Sequence, residues 1–274
     1  MKIDAHQHFW RYSPREYAWI DETMGAIRRD FLPVDLEKET SGIGIDWVIS
    51  VQARQTLEET RWLLDLAAKN DFIRGVVGWV PLISSSVREE LAALRCEQRL
   101  RGVRHVVQDE SDGYLLREDF NAGITALEET GLVYDLLLRE HQLPETIQFV
   151  DRHPNQVFVL DHLAKPRIGD RQPWSQHIQE LARREHVYCK VSGLVTEADF
   201  QTWTEELLRP YFETVLAAFG ADRLMFGSDW PVCLLASSYR RWYEVVSHFA
   251  ESLSTDEQAN FFGATAARVY RLAI

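Results

Sequence analysis

The sequence predicts an α/β protein folded as a single (β/α)8 barrel, also called a TIM barrel. Eight short apolar, β-branched segments alternate along the chain with segments of helical periodicity. Several of them, such as Val-Ile-Ser-Val and Val-Phe-Val-Leu, are nearly continuous hydrophobic runs, as expected for parallel strands covered on both faces. The length of 274 residues is close to the ~250 residues usual for this fold, and 46% hydrophobic residues support a full core.

Strands and helices are predicted in alternation along the whole chain. The apolar runs place strands at residues 3–10, 47–52, 73–82, 102–108, 132–138, 157–162, 187–191 and 224–228. A helix should begin at Ser86, where Ser-Val-Arg-Glu fits a capping box, and others are predicted at 119–130, 144–153, 197–219, 239–253 and 256–270. Gly131 and Gly220 follow two of these helices as C-terminal caps.

A single domain over residues 1–274 is favoured, with no linker or internal repeat. A doubly wound open sheet is the alternative, but no Gly-x-Gly-x-x-Gly follows a strand and no Gly-x-x-x-x-Gly-Lys loop is present. Residues 11–41 form the longest connection and follow strand 1, on the catalytic face of a barrel. We interpret them as a lid over the pocket or as a peripheral packed loop with a short helix near 33–40.

Composition argues against several classes of partner. The formal net charge of −12 opposes binding to nucleic acid and anionic membranes, and weakly favours a neutral or cationic substrate. No apolar run approaches the ~18 residues that span a bilayer. The early histidine pair leaves no room for a removable presequence, so we expect a cytoplasmic protein. Cys96, Cys189 and Cys233 lack disulfide or metal spacing and are expected to be reduced, and no oligomeric state is indicated.

Four polar residues at predicted strand ends carry the functional hypothesis. His6 and His8 are two residues apart on strand 1, so their imidazoles point to the same face. His162 ends strand 6, and Asp229 follows strand 8. Active sites of such barrels lie at the C-terminal ends of the strands, and closure places strands 1 and 8 side by side. Each residue alone has an ordinary structural explanation, but their joint placement predicts one shared site.

Three imidazoles and one carboxylate are compatible with two kinds of chemistry. They are the nitrogen and oxygen donors that Zn²⁺ or a similar divalent ion accepts, so all four are candidate metal ligands. Without a metal, the imidazoles would donate hydrogen bonds to a carbonyl oxygen while Asp229 removes a proton from water. The residues by themselves leave both possibilities open.

Nearby residues are candidates for substrate binding. Because strand neighbours alternate faces, only one of Arg104 and His105 should point into the barrel, and we favour Arg104. Its guanidinium would bind a substrate hydroxyl or the product carboxylate, or else form a structural ion pair. Lys165 would bond substrate oxygens or stay solvated. The tryptophans that would pack on a sugar ring, or belong to the core, are Trp10, Trp79 and Trp230.

Two acidic residues next to the predicted site are assigned supporting roles. Asp161 should face away from His162, because the two are neighbours on a strand, and is interpreted as a structural acid. Asp4 should share the face of the strand 1 histidines at a deeper level, where it would support them.

Longer stretches of the sequence resemble one known group of proteins. Five sequence segments resemble the amidohydrolase superfamily. They are Asp-Ala-His-Gln-His-Phe-Trp, Gly-Val-Arg-His, Leu-Asp-His-Leu-Ala-Lys-Pro, Lys-Val-Ser-Gly-Leu and Met-Phe-Gly-Ser-Asp-Trp-Pro-Val-Cys. More narrowly they are similar to its sugar-lactonase branch, which contains fuconolactonase-like and rhamnonolactonase-like proteins. The likeness covers essentially the whole chain.

That resemblance implies hydrolysis at a carbonyl carbon. It implies that Asp229 is the general base and that His6, His8 and His162 bind a metal or polarise the carbonyl directly. The implied activity is a lactonase that opens a small sugar-acid lactone to its hydroxy acid. Alternatives are a decarboxylase of an aromatic acid, as in other members of the superfamily, a hydrolase of another cyclic ester or amide, and a non-catalytic sugar-binding protein.

The resemblance also sets the expected metal content. No strand-end lysine is placed to form the bridging carbamate of binuclear members. Lys190 lies on strand 7, but nothing near it in sequence indicates a second ion site. We therefore expect at most one divalent ion, with zinc as the first candidate, and metal-free catalysis, as in a related lactonase group, as the alternative.

Overall fold

The computed structural model describes residues 1–273 and contains one eight-stranded parallel sheet in the order β1 to β8. All eight predicted strands are confirmed, and most of them are shorter than predicted. The strands are β1 Ile3–Gln7, β2 Trp47–Val51, β3 Ile73–Gly78, β4 Leu100–Val106, β5 Val133–Leu137, β6 Phe158–Leu160, β7 Val187–Val191 and β8 Leu224–Phe226.

The two edges of the sheet meet and close the barrel. Gln7 forms a parallel bridge with Trp230, just beyond β8. The His8 amide donates to the Trp230 carbonyl at 2.7 Å, and the Asp229 amide donates to the His6 carbonyl at 2.8 Å. These bonds leave no open edge between β1 and β8, so the (β/α)8 prediction is confirmed.

The predicted helices are present with differences at their ends, and two further helices, at Leu57–Lys69 and Trp174–Leu181, were not predicted. A π-helical segment at Asn260–Ala264 divides the helix predicted at 256–270. They are α1 Pro33–Thr40, α2 Leu57–Lys69, α3 Val87–Ala93, α4 Glu118–Glu128, α5 Leu143–Arg152, α6 Trp174–Leu181, α7 Glu205–Phe219, α8 Tyr239–Phe249, α9 Thr255–Ala259 and α10 Thr265–Val269. The capping box at Ser86 is wrong, because its hydroxyl pairs with that of Ser84 instead of an amide. Helix α7 begins later than predicted, where the Thr204 side chain caps it. Within residues 1–273, no helix combines the length and hydrophobicity needed to cross a bilayer.

The N-terminal end of the barrel is filled by apolar side chains. Inward-facing residues of several strands form one cluster with the C-terminal helix α10, which covers this end of the barrel. Its fully buried strand members are Ile3, Ala5, Ile49, Val51, Val77, Val159 and Met225. Branched apolar residues are the usual filling of a barrel interior, so this end serves stability. The chemistry-bearing residues lie at the opposite end.

The long connection after β1, residues 11–41, packs firmly at the opposite, C-terminal end. Trp10 and Phe31 exchange backbone hydrogen bonds of 3.0 and 2.9 Å, which hold the part of the connection around Phe31 against the end of β1. Tyr17 is buried, and its hydroxyl donates to Glu59 at 3.2 Å. Glu16 forms an ion pair with Arg54 at 2.7 Å. The segment is therefore a packed connection that contains α1 at 33–40 and lies beside the cavity described next, and its role as a lid stays a prediction.

Candidate active site

His6 and His8 converge at the C-terminal end of β1. Their Nε2 atoms are 3.1 Å apart, and both side chains are buried. The Nδ1 atom of His8 lies 2.8 Å from the Val51 carbonyl, which can only accept a hydrogen bond. The neutral His8 ring must therefore carry its proton on Nδ1, and the lone pair of Nε2 points toward His6 and the site.

Asp229 joins the histidines from the end of β8. Its Oδ1 atom lies 3.3 Å from His8 Nε2, 3.7 Å from His6 Nε2 and 3.9 Å from His162 Nε2. The residue has a φ of +55°, which a non-glycine residue adopts only at a cost, and such strain is concentrated at functional sites. Close packing supports this loop, because a Cβ at Gly227 would lie 2.8 Å from that of His6. The structure thus brings the four predicted residues into one place.

His162 reaches the site through an unusual left-handed turn. Residues 162–165 have φ values of 53°, 54°, 62° and 50°, although none of them is glycine. Each such residue costs roughly 1–2 kcal/mol, so the surrounding structure must impose the turn. Gly193 makes room for it, because a Cβ there would lie 2.6 Å from His162 Nδ1. The same Nδ1 lies 2.8 Å from the Ser192 hydroxyl, which orients the ring.

Asp161 contacts His6 directly, and the prediction that it faces away from the site is wrong. Asp161 follows the inward-facing Val159 by two residues and therefore also points inward, and the left-handed turn that starts at His162 brings that ring to the same side. Asp161 Oδ1 lies 3.2 Å from His6 Nδ1. An ionised carboxylate only accepts, so it selects the His6 tautomer with the proton on Nδ1 and leaves the Nε2 lone pair facing Asp229.

Cations hold Asp161 in its charged form. Arg104 Nη1 lies 3.0 Å from Asp161 Oδ2, and Lys190 Nζ lies 3.0 Å from Asp161 Oδ1. Burial alone would raise the pKa of Asp161, but the charge of Lys190, the hydrogen bond with His6 and the charge of Arg104 lower it well below its usual value. Arg104 therefore faces the barrel interior, while His105 stacks on Tyr114 at 5.0 Å outside it.

Protonation states in the site suit a divalent cation. Burial lowers the pKa of His6 well below its usual value and that of His162 to about 4, so both rings are neutral near pH 7. Burial would raise the pKa of Asp229, but the nearby His162, His8 and His6 lower it below its usual value. Donor atoms of His6, His8 and Asp229 lie within 4.8 Å of one another. Neutral imidazoles with an ionised carboxylate are a zinc donor set, so these residues fit that metal.

The site opens into a cavity of about 750 Å³. His8, His162 and Asp229 lie among its lining residues, together with the predicted Arg104 and Lys165. Lys165 Nζ is 3.8 Å from Glu197, which also lines the cavity. This volume is within the range of small-molecule sites in proteins.

Of the described residues, the three tryptophans predicted to bind substrate are not among those lining this cavity. Trp10 is fully buried, and its indole N–H donates to the Arg29 carbonyl at 2.9 Å. Trp230 is also buried and packs edge-on against Phe31 at 5.1 Å. Trp79 directs its indole N–H toward His105, at 3.4 Å. The contacts of these rings are packing contacts, and their binding of substrate stays a prediction.

Two aromatic residues that the sequence reasoning missed do line the cavity. Trp19 lies in the connection after β1 and Phe200 in the loop after β7, and they are 41% and 43% exposed. Trp19 packs edge-on against Trp10 at 5.7 Å, so the buried ring supports the exposed one. The sequence signal for both residues was a large aromatic side chain in a polar loop. The position of each ring over the site depends on how its loop folds.

Comparison with known proteins agrees with this geometry. A family model described as Amidohydrolase matches residues 3–272. The chain belongs to the amidohydrolase family. It is 42% identical over 286 aligned residues to an L-fucono-1,5-lactonase of Burkholderia multivorans, covering 99% of this chain and 96% of that protein. It is 26% identical over 207 residues to an L-rhamnono-gamma-lactonase of Scheffersomyces stipitis, covering 65% and 62% of the two chains.

A solved structure of this family extends the likeness to three dimensions. The crystal structure of an amidohydrolase from Burkholderia multivorans with bound zinc matches this chain with a TM-score of 0.96 at 42% identity. The match covers 100% of both chains. The barrel and its strand ends are therefore shared with a family member that binds zinc.

Proposed function

We propose that this amidohydrolase is a lactonase that opens a sugar-acid lactone, with L-fucono-1,5-lactone as the first candidate substrate. The observation that carries the proposal is the Asp229 carboxylate, 3.3 to 3.9 Å from three imidazoles at a cavity. A base beside carbonyl-polarising groups is what hydrolysis of a cyclic ester requires. The whole-length similarity to a relative that acts on this lactone supports the choice of substrate.

In the proposed reaction Asp229 acts on water. Its Oδ1 is the oxygen nearest the imidazoles, which leaves Oδ2 to accept a proton as the water oxygen attacks the lactone carbonyl. The tetrahedral intermediate then collapses, the ring carbon–oxygen bond breaks, and Asp229 returns the proton to the leaving oxygen. The product hydroxy acid ionises and releases one proton to solution.

The developing negative charge on the carbonyl oxygen requires a positive group beside the histidines, because the nitrogens of His6 and His8 that face the site carry lone pairs. Zinc held by His6, His8, His162 and Asp229 would act as a Lewis acid on that oxygen. The Val51 carbonyl and Asp161 keep the lone pairs of His8 and His6 directed at the site. In the metal-free alternative, the ring tautomers would have to reverse for these nitrogens to donate, which their present partners oppose.

Substrate binding is assigned to residues on two sides of the cavity. Lys165 offers an ammonium group to the hydroxyls of the sugar or to the product carboxylate. The rings of Trp19 and Phe200 offer apolar faces to the C–H surface of the sugar. Arg104 lines the cavity, but its Nη atoms already bond Asp161 and the Gln52 carbonyl, so we assign it to holding Asp161.

Turnover of a lactone panel tests this proposal. L-Fucono-1,5-lactone, an L-rhamnonolactone and a simple non-sugar lactone are each followed with a pH indicator, with zinc or with a chelator. We expect the sugar lactones to release acid fastest and chelation to reduce the rate. Carbon dioxide released from 2,6-dihydroxybenzoate without lactone turnover would replace the proposal with the decarboxylase alternative, and lactone binding without any turnover would indicate a binding protein.

A further inference from the structure

Two groups of potential metal ligands share His6. The first comprises His6, His8 and Asp229, and the second comprises His6, Asp161 and His162. The donor atoms within each group lie within 4.8 Å of one another. Two adjacent groups of this kind would be expected to bind two divalent ions, because carboxylates and imidazoles are both ligands of such ions. The zinc position of the proposed lactonase takes the first group together with His162.

A cation of the protein itself already lies beside the second group. Lys190 projects from β7 into the barrel and is fully buried. Its Nζ lies 3.0 Å from Asp161 Oδ1 and 3.2 Å from His6 Nδ1, and it forms an ion pair with Asp135. The other oxygen of Asp135 accepts a hydrogen bond of 2.7 Å from the Tyr270 hydroxyl.

The charges around Lys190 balance without an added ion. Asp135 and Asp161 supply two buried carboxylates, and Lys190 and Arg104 supply two buried cations. Uncompensated charge inside a protein is strongly disfavoured, so this balance is what permits the cluster to be buried. A divalent ion added between the carboxylates would meet both cations and would be repelled.

We propose that the ammonium group of Lys190 occupies the place of a second divalent cation and thereby limits this amidohydrolase to the single metal position held by His6, His8, His162 and Asp229. The inference concerns the metal capacity of the site that carries the proposed function, and it does not depend on which lactone is hydrolysed. It also gives Lys190 a positioning role, since the ammonium holds Asp161 against His6. Because the Lys190 ammonium is part of the protein, a cation lies beside His6 Nδ1 whether or not divalent metal is available.

Metal content of a Lys190→Ala variant tests the proposal. The variant removes the ammonium and leaves space between the carboxylates of Asp135 and Asp161, which are hard oxygen ligands. Full-length wild type and variant are incubated with zinc chloride, dialysed and assayed by elemental analysis. We expect the variant to bind one more zinc ion per chain than wild type. Zinc equal to wild type in a folded variant would overturn the proposal.

Two matched variants separate this effect from a general loosening of the core. Lys190→Met removes the charge but fills most of the volume, and should bind no additional zinc. Lys190→Ala combined with Asp135→Asn keeps the space but removes a ligand, and should lose the additional ion. An extra ion retained in both variants would show that the ion binds elsewhere and would contradict the proposal.

Folding of the variant is covered by a second measurement. Should Lys190→Ala unfold without metal, zinc present during refolding is expected to restore its circular dichroism spectrum, because metal bound only by the folded state stabilises that state. The double variant should not recover. Failure of zinc to restore Lys190→Ala would overturn the inference. A wild type that binds no zinc and hydrolyses no lactone would defeat the proposed function alone, because the expected difference of one ion remains.

Discussion

The two ends of the barrel interior differ in the polarity of their buried side chains. At the N-terminal end, Val77, Val159 and Met225 pack against the C-terminal helix with their side chains fully buried. Toward the C-terminal end, Asp161 and Lys190 are just as buried but charged. The same strands contribute to both ends, so the difference arises from which side chain each strand directs inward at each level.

This difference in polarity predicts which substitutions affect stability alone and which also affect function. Apolar side chains stabilise by burial, and the loss of one leaves a cavity without affecting distant groups. Buried charges stabilise only as long as their partners remain, so one substitution disturbs the whole cluster. We therefore expect changes at the apolar end to reduce stability alone. Changes at the charged end should alter stability, metal binding and activity together.

The largest effect is expected for Asp229→Asn. The amide cannot accept the proton of water, so lactone turnover should fall by about 10²- to 10⁴-fold. Far-UV circular dichroism should remain that of wild type, because the isosteric amide preserves the backbone contact of Asp229 with His6. Turnover close to that of wild type across the lactone panel would show that another group is the base.

Asp161→Asn breaks the charge balance while preserving shape. Lys190 and Arg104 would lose a buried anion, and removal of one partner from such a cluster costs about 3–5 kcal/mol of unfolding free energy. Zinc affinity should fall by about 10- to 100-fold, because His6 loses the acceptor that orients it. Chemical denaturation and zinc titration measure the two effects. Wild-type values in both would mean that the charged cluster is not coupled to the metal ligands.

Met225→Ala is the matching change at the apolar end. It should lower the unfolding free energy by about 2–5 kcal/mol, because Met225 is fully buried and its removal leaves a cavity. The kcat/KM for the lactone should change little, since Met225 packs in the apolar cluster. A substantial decrease in kcat/KM in the folded variant would erase the distinction between the two ends.

Glu59 extends the comparison to a buried acid outside the barrel interior. Burial raises the pKa of Glu59 from 4.5 to about 7, with Arg54 Nε 3.7 Å away. The pKa of Glu59 is higher in the folded state than in the unfolded state, so protonated Glu59 adds to the unfolding free energy below about pH 4.5. This contribution is lost as the pH rises through about 7. The unfolding free energy of wild type relative to Glu59→Gln should fall by about 3 kcal/mol over this range. A pH-independent difference would contradict this assignment.

The smallest effect is expected at the mouth of the cavity. Trp19→Ala should raise the KM for the sugar lactone by about 10-fold with little change in kcat, because the ring contacts substrate away from the reacting bond. Ile83→Ala is the control, since Ile83 is 46% exposed and is not among the residues lining the cavity. Equal KM values for both variants would remove Trp19 from the binding site.

Local sequence patterns predicted the barrel well because each strand is an apolar run of its own. Those patterns also predicted that His6 and His8 meet, since two residues on one strand share a face. Alternation failed where the backbone leaves the strand conformation. His162, not Asp161, departs from alternation, because the left-handed turn brings its ring to the side on which Asp161 already lies. Asp4 contacts Tyr239 on α8, but it still supports β1, because its Oδ1 accepts a hydrogen bond of 3.1 Å from the His6 amide.

Aromatic residues show the same limit at longer range. The sequence places Trp10 and Trp230 at strand ends, but it contains no measure of which side of the rim each ring faces. Both are buried by the connection after β1, through contacts with residues such as Phe31. That connection instead exposes Trp19. Such a choice depends on how a loop folds over the barrel, which local periodicity does not contain.

By itself, the sequence determined the strand order, the barrel and the four residues at its catalytic end, because these follow from short-range hydrophobic periodicity and from the closure rule of the fold. Only the tertiary structure decided that Lys190 meets Asp135, 55 residues away in sequence, and that Lys190 and Arg104 neutralise Asp161 beside His6. Charge compensation inside a barrel is a property of side chains from different strands. It can be recognised only when their distances are known.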